Sequence, residues 1–155
     1  ARPRGTPRLL APPAEGAVIE FTISGPPRTK KNSERFDFRG PKLKKRSSEA
    51  HEKWFNDALS QAPVIKSELG IVLPIQGRIW VKATFYLENA NEGDLLGYEQ
   101  ALADWLQMPT QRRNGAGIIV DDKYIDSWDE SRRKMDRSNP RIEVTIMVIE
   151  EVSGA

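Results

Sequence analysis

Three aspartates in two short stretches are the residues best suited to chemistry in this chain. Asp94 stands in Gly93-Asp94-Leu95, ahead of a helix-like segment that ends Ala103-Asp104-Trp105-Leu106. Asp121 and Asp122 follow Val120, after a loop rich in Arg, Asn and Gly. Carboxylates drawn from two separate elements are oxygen-only donors, which suits a hard cation. Mg²⁺ is usually held by one or two protein carboxylates and completes its shell with waters and substrate phosphates. Asp94, Asp121 and Asp122 are therefore the candidate ligands of Mg²⁺, or of Mn²⁺ in its place, and the expected partner carries phosphate.

A second concentration of charge supports that partner. From Arg28 to Arg46 nine basic residues face only Glu34 and Asp37, with Phe36 and Phe38 interleaved. The segment reads as a basic loop. Arg28, Lys30, Lys31, Arg35, Lys42, Lys44, Lys45 and Arg46 are candidates to neutralise nucleic-acid phosphates and release their counterions, a source of affinity with little sequence reading. Phe36 and Phe38 can stack at an opened branch or pack in a core or dimer contact.

The elements that must position these groups follow from periodicity. Val18 to Ser24 alternates in the manner of a strand and stops at Gly25-Pro26-Pro27. Ser47 and Ser48 can cap a helix reaching about Gln61, with Trp54, Phe55, Ala58 and Leu59 on one face. Gly77 to Leu87 sets Ile79, Val81, Ala83, Phe85 and Leu87 against polar or aromatic neighbours, the clearest strand pattern in the chain. Asp94 can cap a helix from Leu95 to Gln107, ended by Met108-Pro109. Ile118 to Val120 is a short apolar run delivering Asp121 and Asp122, Tyr124 to Lys134 leans towards strand, and Arg141 to Ile149 alternates again and should close the sheet. The expected fold is α/β (α+β), a single domain with a small mixed sheet and two principal helices. Residues 1–16, rich in proline and arginine, read as a flexible arm outside the core; 17–150 form the domain and 151–155 a tail.

Taken together, these pieces resemble a known family. Ile23-Ser24-Gly25-Pro26-Pro27 with Lys30-Lys31, the strand leading to Gly93-Asp94-Leu95, the helix ending Ala103-Asp104-Trp105-Leu106, and Val120-Asp121-Asp122-Lys123-Tyr124-Ile125 resemble the RusA family of Holliday-junction resolvases in order and spacing over about residues 18–149. The resemblance implies a homodimeric, Mg²⁺-dependent endonuclease that binds four-way DNA junctions and nicks opposing strands, in a cytoplasmic setting, bacterial or phage-encoded. It implies metal-binding and catalytic roles for Asp94 and Asp122, with Asp121 beside them. The chain departs from the family pattern at three positions: Leu96 stands where a second aspartate is expected, Gly97 where asparagine is, and Gln100 where a lysine that assists catalysis is. Two expectations follow. Asp121 or Glu92 completes the metal cage and Lys123 or a residue of the basic loop replaces the lysine, or else the protein binds junctions and cleaves them slowly or not at all.

Each residue also has a plainer use. Asp94 can be an N-cap alone, Asp121-Asp122 a polar turn, Asp104 a charge paired with a nearby base, and the basic segment a solvated face. Trp54, Trp80, Trp105 and Trp128 read as packing, and the lone His51 as a surface histidine without a role. Composition sets outer limits. The 155 residues suffice for one domain with a sizeable core, and 24 basic against 22 acidic residues leave a net charge of only +2, so local charge matters more than the total. With no cysteine, thiolate metal sites and disulfides are excluded. No apolar run approaches the roughly 20 residues of a membrane span, so membrane roles are not expected.

Overall fold

The computed structural model describes residues 10–30, 49–89 and 93–149, with backbone alone at 35–37, 44–46 and 150. Its element order is β1 (Val18–Ser24), β2 (Arg35–Asp37), β3 (Lys44–Arg46), α1 (Glu49–Leu69), β4 (Arg78–Leu87), α2 (Leu95–Leu106), β5 (Ile125–Trp128), β6 (Arg132–Met135) and β7 (Arg141–Glu150). The main sheet runs β1-β7-β4, antiparallel throughout, and β4 then pairs in parallel with both β5 and β6. It is the mixed sheet with two helices that the periodicity predicts.

Register explains the core. Ile23, Ile142 and Phe85 lie across β1, β7 and β4, as do Phe21, Val144 and Ala83, and Ile19, Ile146 and Val81. Because strand side chains alternate with a period of two, these rows share one face. α1 covers that face with Trp54, Ala58, Ala62 and Ile65, and α2 with Tyr98, Leu102, Trp105 and Leu106, all buried. Each large apolar side chain removed from water contributes about 1.5–3 kcal/mol, so this single two-layer core holds both helices against the sheet. The other face is polar and cross-linked: Trp80 Nε1 donates to Asp129 (2.8 Å), Arg78 pairs with Asp126 (2.9 Å), and the Arg141 guanidinium lies 3.8 Å over the Tyr86 ring.

Several boundaries differ from the sequence reading. α1 runs two turns past Gln61, through Pro63. Proline deprives the Leu59 carbonyl of its helical donor, yet Pro63 faces solvent while Ala62 and Ile65 continue the buried stripe. β7 lies inside the sheet, between β1 and β4, where it was expected to close it. The segment expected to be a basic loop contains the antiparallel β2–β3 pair. The arm expected through Gly16 is tied down at its near end: Ala11 O accepts from Val72 N (2.9 Å) and Gly16 N donates to Val148 O (2.7 Å). Residues 1–9 and 151–155 lie outside the described residues. Among the described residues no helix is long and apolar enough to cross a membrane.

Candidate functional site

The first turn of α2 places Asp94. Its backbone is extended (φ −77°, ψ 163°), its carbonyl accepts from Tyr98 N (3.3 Å) and its Oδ1 accepts from Gly97 N (2.9 Å), the geometry of an N-cap that contributes about 1 kcal/mol. Arg133 Nη1 donates to Gly93 O (2.9 Å) and fixes the chain as it enters the turn. Gly97 is required locally. A Cβ there would lie 2.9 Å from Asp94 Oδ1 and 3.0 Å from Thr29 Cγ2, and Thr29 is only 3% exposed. The missing side chain lets the loop after β1 pack onto α2, which brings Lys30 to the same hollow as Asp94. That hollow, of roughly 320 Å³, is lined by Lys30, Asp94, Leu96, Gly97, Gln100, Ala101 and Asp104. The helix residues among them recur at helical spacing on one face, and Gln100 Nε2 donates to Asp104 Oδ1 (3.0 Å).

The end of α2 places the other two aspartates. A helix terminus leaves carbonyls without helical donors. Here the returning chain supplies them: Ala116 N donates to Trp105 O (2.7 Å), Ile118 N and Ile119 N to Leu106 O (2.9 and 3.0 Å), and Gly117 N to Gln107 O (3.0 Å). Ile118 and Ile119 are buried there, so the next residues emerge beside α2. Asp121 caps a short 3₁₀ turn, Asp122–Tyr124, by accepting from Lys123 N (3.1 Å). The Lys123 N–H, and then a hydrogen bond with Asp122, hold the Asp121 carboxyl below its ordinary value. Loss of solvent on one side, and then Asp121, push Asp122 up, with Asp104 adding to the rise and Arg113 opposing it. The two carboxyls therefore titrate as an interacting pair, Asp121 losing its proton the more readily. Asp122 lines a neighbouring hollow of roughly 210 Å³ with Leu96, Glu99, Gln100, Ala103, Ile125 and Trp128, where burial pushes the Glu99 carboxyl up.

The three candidate ligands therefore divide. Asp121 and Asp122 are in contact; Asp94 opens onto the adjacent hollow, and Leu96 and Gln100 line both. Among the described residues no three carboxylate or imidazole side chains form one metal-holding group. The Asp121–Asp122 pair nevertheless fits a hard divalent cation, since two carboxylates in contact offer oxygen donors whose mutual repulsion a cation would relieve, and Mg²⁺ needs no more than two. Glu92 lies outside the described residues.

Among the basic candidates, Lys30 is exposed at the carboxylate hollow. Arg28 is half-buried and pairs with Glu88 and with Pro27 O (3.2 Å). Arg35 lies on β2 and Lys44, Lys45 and Arg46 form β3, with Phe36 between Arg35 and Asp37; Lys31, Lys42 and Phe38 lie outside the described residues. The Lys123 ammonium sits 5.3 Å over the Tyr124 ring. His51 corrects its expected surface position. It is 9% exposed, stacked on Phe55 (6.2 Å, 20°) and 5.9 Å from Trp54. Its spacing to Trp54, Phe55 and Ala58 places it on the apolar stripe, the signal that identifies it. Glu99 and Arg113 are further groups at the site that sequence reasoning passed over; Glu99 lies four residues from both Leu95 and Ala103, while Arg113 has no comparable signal.

No family model matches this chain, and no curated protein matches it.

Proposed function

We propose that this protein is a structure-selective DNA endonuclease that resolves four-way junctions by Mg²⁺-dependent phosphodiester hydrolysis, acting as a homodimer in a cytoplasmic, bacterial or phage setting. The observation that carries the reading is the placement of Lys30 in one hollow with Asp94 and Asp104, one helix ridge away from the Asp121–Asp122 pair. Acidic and basic groups this close serve a ligand that brings its own charge and a counter-cation. A bound cation would supply a water of lowered pKa and neutralise charge developing on the phosphate. The remaining tasks fall to the chain. Asp121 and Asp122 would hold the cation, and Asp94 opens onto the adjacent hollow with Lys30, its Oδ2 outside the capping bond. Lys30 holds a phosphate near the carboxylates, and β2–β3 adds backbone-tracking charge through Arg35, Lys44, Lys45 and Arg46. Two coordinated nicks need two such sites related by symmetry.

A second reading, junction binding with slow or no cleavage, is favoured by Leu96. It is 76% exposed on the ridge between the hollows, where a carboxylate would join Asp94 to Asp122. Gln100 contributes a neutral amide there, already engaged by Asp104.

The test is a labelled four-way junction and a matched linear duplex, each incubated with Mg²⁺ and then with EDTA, with products resolved on a denaturing gel and complexes on a native one. Symmetric, Mg²⁺-dependent nicking of the junction is the expected result. Junction binding without nicking selects the second reading, and equal binding to junction and duplex rejects both.

A further inference from the structure

A second hollow, of roughly 390 Å³, lies between the first turns of α1 and the loop that follows α2, lined by Lys30, His51, Phe55, Asp104, Arg113 and Asn114. We propose that it is a phosphate subsite, in which Lys30, Arg113 and Asn114 hold one backbone phosphodiester of a DNA strand and His51 donates to it. The inference rests on the endonuclease reading for its ligand and on this hollow for its geometry.

Two observations carry it. The first is an unpartnered imidazole nitrogen. His51 is 9% exposed and lines the hollow, and its Nε2, sealed from solvent, has no hydrogen-bond partner among the described residues. A buried polar group left so is costly, and a ring rotation that brings this nitrogen to a ligand oxygen in the hollow relieves that cost. The imidazole is held mainly in its neutral form, because burial and then Lys30 push its pKa below the ordinary value while Asp104 and Glu52 pull the other way. A neutral imidazole still carries one N–H to donate. The second is the sign of the walls. Lys30 from the loop after β1 and Arg113 from the loop after α2 face Asp104, which Gln100 already engages. Two cations and an amide against one carboxylate repel a metal ion and attract an oxyanion. Phe55 gives the hollow an apolar wall suited to a sugar or base.

Continuity identifies the ligand as a strand rather than a free anion. Lys30 and Asp104 line both this hollow and the one holding Asp94. A phosphate seated against His51 therefore lies on the same track as one seated against the carboxylates, and consecutive phosphates of one strand would occupy the two.

The chain has a single histidine, so one imidazole Cε1–H signal reports the subsite. With EDTA present, the full chain is titrated with inorganic phosphate and, separately, with the dinucleotide pTpT, following that signal by NMR. The dinucleotide should move the signal saturably and bind more tightly than inorganic phosphate. Arg113→Ala and Lys30→Ala, both at exposed positions, should each weaken dinucleotide binding by about tenfold or more, the scale of one lost charge-assisted contact. A signal indifferent to both ligands, or a response unchanged in Arg113→Ala, overturns the subsite. Inorganic phosphate binding as tightly as pTpT overturns its assignment to DNA. No cation takes part, so absent nicking leaves this readout intact and tells against the endonuclease reading alone. Conversely, an unmoved histidine signal in a protein that nicks junctions rejects only the subsite.

Discussion

Replacing Gly115 by alanine should unfold the strut that delivers Asp121 and Asp122. A Cβ at Gly115 would sit 2.0 Å from the Gln107 carbonyl oxygen and 2.9 Å from its carbon. Real Cβ contacts do not fall below 3.0 Å, so the two backbones must separate by at least about 1 Å. Both belong to main chain, and no side-chain rotation relieves the clash. The same seam carries Gly117 N to Gln107 O, Ala116 N to Trp105 O and Ile118 N to Leu106 O, at 2.7–3.0 Å, and a shift of that size lengthens these bonds beyond useful range. Each is worth about 1 kcal/mol, and a buried carbonyl left without a donor costs about 1–3 kcal/mol. The expected loss is therefore about 3 kcal/mol or more, equivalent to a fall in Tm of roughly 6–12 °C for a chain of this size. Urea denaturation of wild type and variant, followed by tryptophan fluorescence, measures it as a lower midpoint at unchanged m. A loss below about 1 kcal/mol would show that the 115–119 segment is not held as described and refute the reasoning.

Four further outcomes are expected. Asp94→Asn should abolish nicking while junction affinity holds or rises; asparagine caps as well as aspartate, so stability should move by less than about 0.5 kcal/mol, and parallel loss of binding and nicking in gel assays would sink the ligand assignment. Lys44→Ala with Lys45→Ala should reduce the slope of log affinity against log salt by about 2, near 0.9 per phosphate contact, and an unchanged slope rejects those contacts. Leu96→Asp with Gln100→Lys should raise Mg²⁺-dependent nicking over wild type in the same gel assay, at little cost in stability because both positions are exposed; no gain in rate would show that the ridge does not limit catalysis. His51 has a pKa below its usual 6.5, so the unfolded chain takes up the proton first on acidification and stability falls as pH drops from 6.5 through the folded value. Urea midpoints at about pH 7.5 and about pH 5.5, on either side of the ordinary imidazole value, should therefore show His51→Gln gaining on wild type at the lower pH, and a constant difference contradicts a depressed pKa.

The sheet was legible wherever burial imposed alternation. Ile79 to Leu87 and Ile142 to Val148 face the helices at every second residue, so β4 and β7 could be read from periodicity alone, although not their order in the sheet. β5 and β6 carry no such signal. Their residues are mostly exposed, and they form because β4 offers a parallel edge. Between them side chains take over the ladder: Ser131 Oγ accepts from Ala83 N (3.0 Å), and Glu130 takes φ 57° while pairing with Lys82 (3.4 Å). Pro63 is a strong local signal against helix, yet Trp54, Ala58, Ala62 and Ile65 at spacings of four, four and three carry α1 through it and past the expected end at Gln61. Asp94 and the Asp121–Asp122 pair were legible as capping and turn positions. Their separation into two hollows was not, because it depends on how α2 packs against Thr29 and on the direction in which Ile118 and Ile119 leave its last turn.

Leu96 and Gln100 gather these threads at one place. Both lie on the exposed ridge of α2, both line the two hollows, and they are the positions where the resolvase pattern expects an acid and a lysine. Leucine at 96 adds no charge to the repulsion among the carboxylates on either side of the ridge. A carboxylate at 96 would do the opposite, adding repulsion that only a bound metal relieves. On the proposed reading, leucine at 96 therefore lowers metal affinity while sparing the fold that repulsion. Metal affinity rather than DNA affinity is then, on that reading, the quantity that separates a nuclease from a junction binder, because position 96 lines both hollows beside the carboxylates.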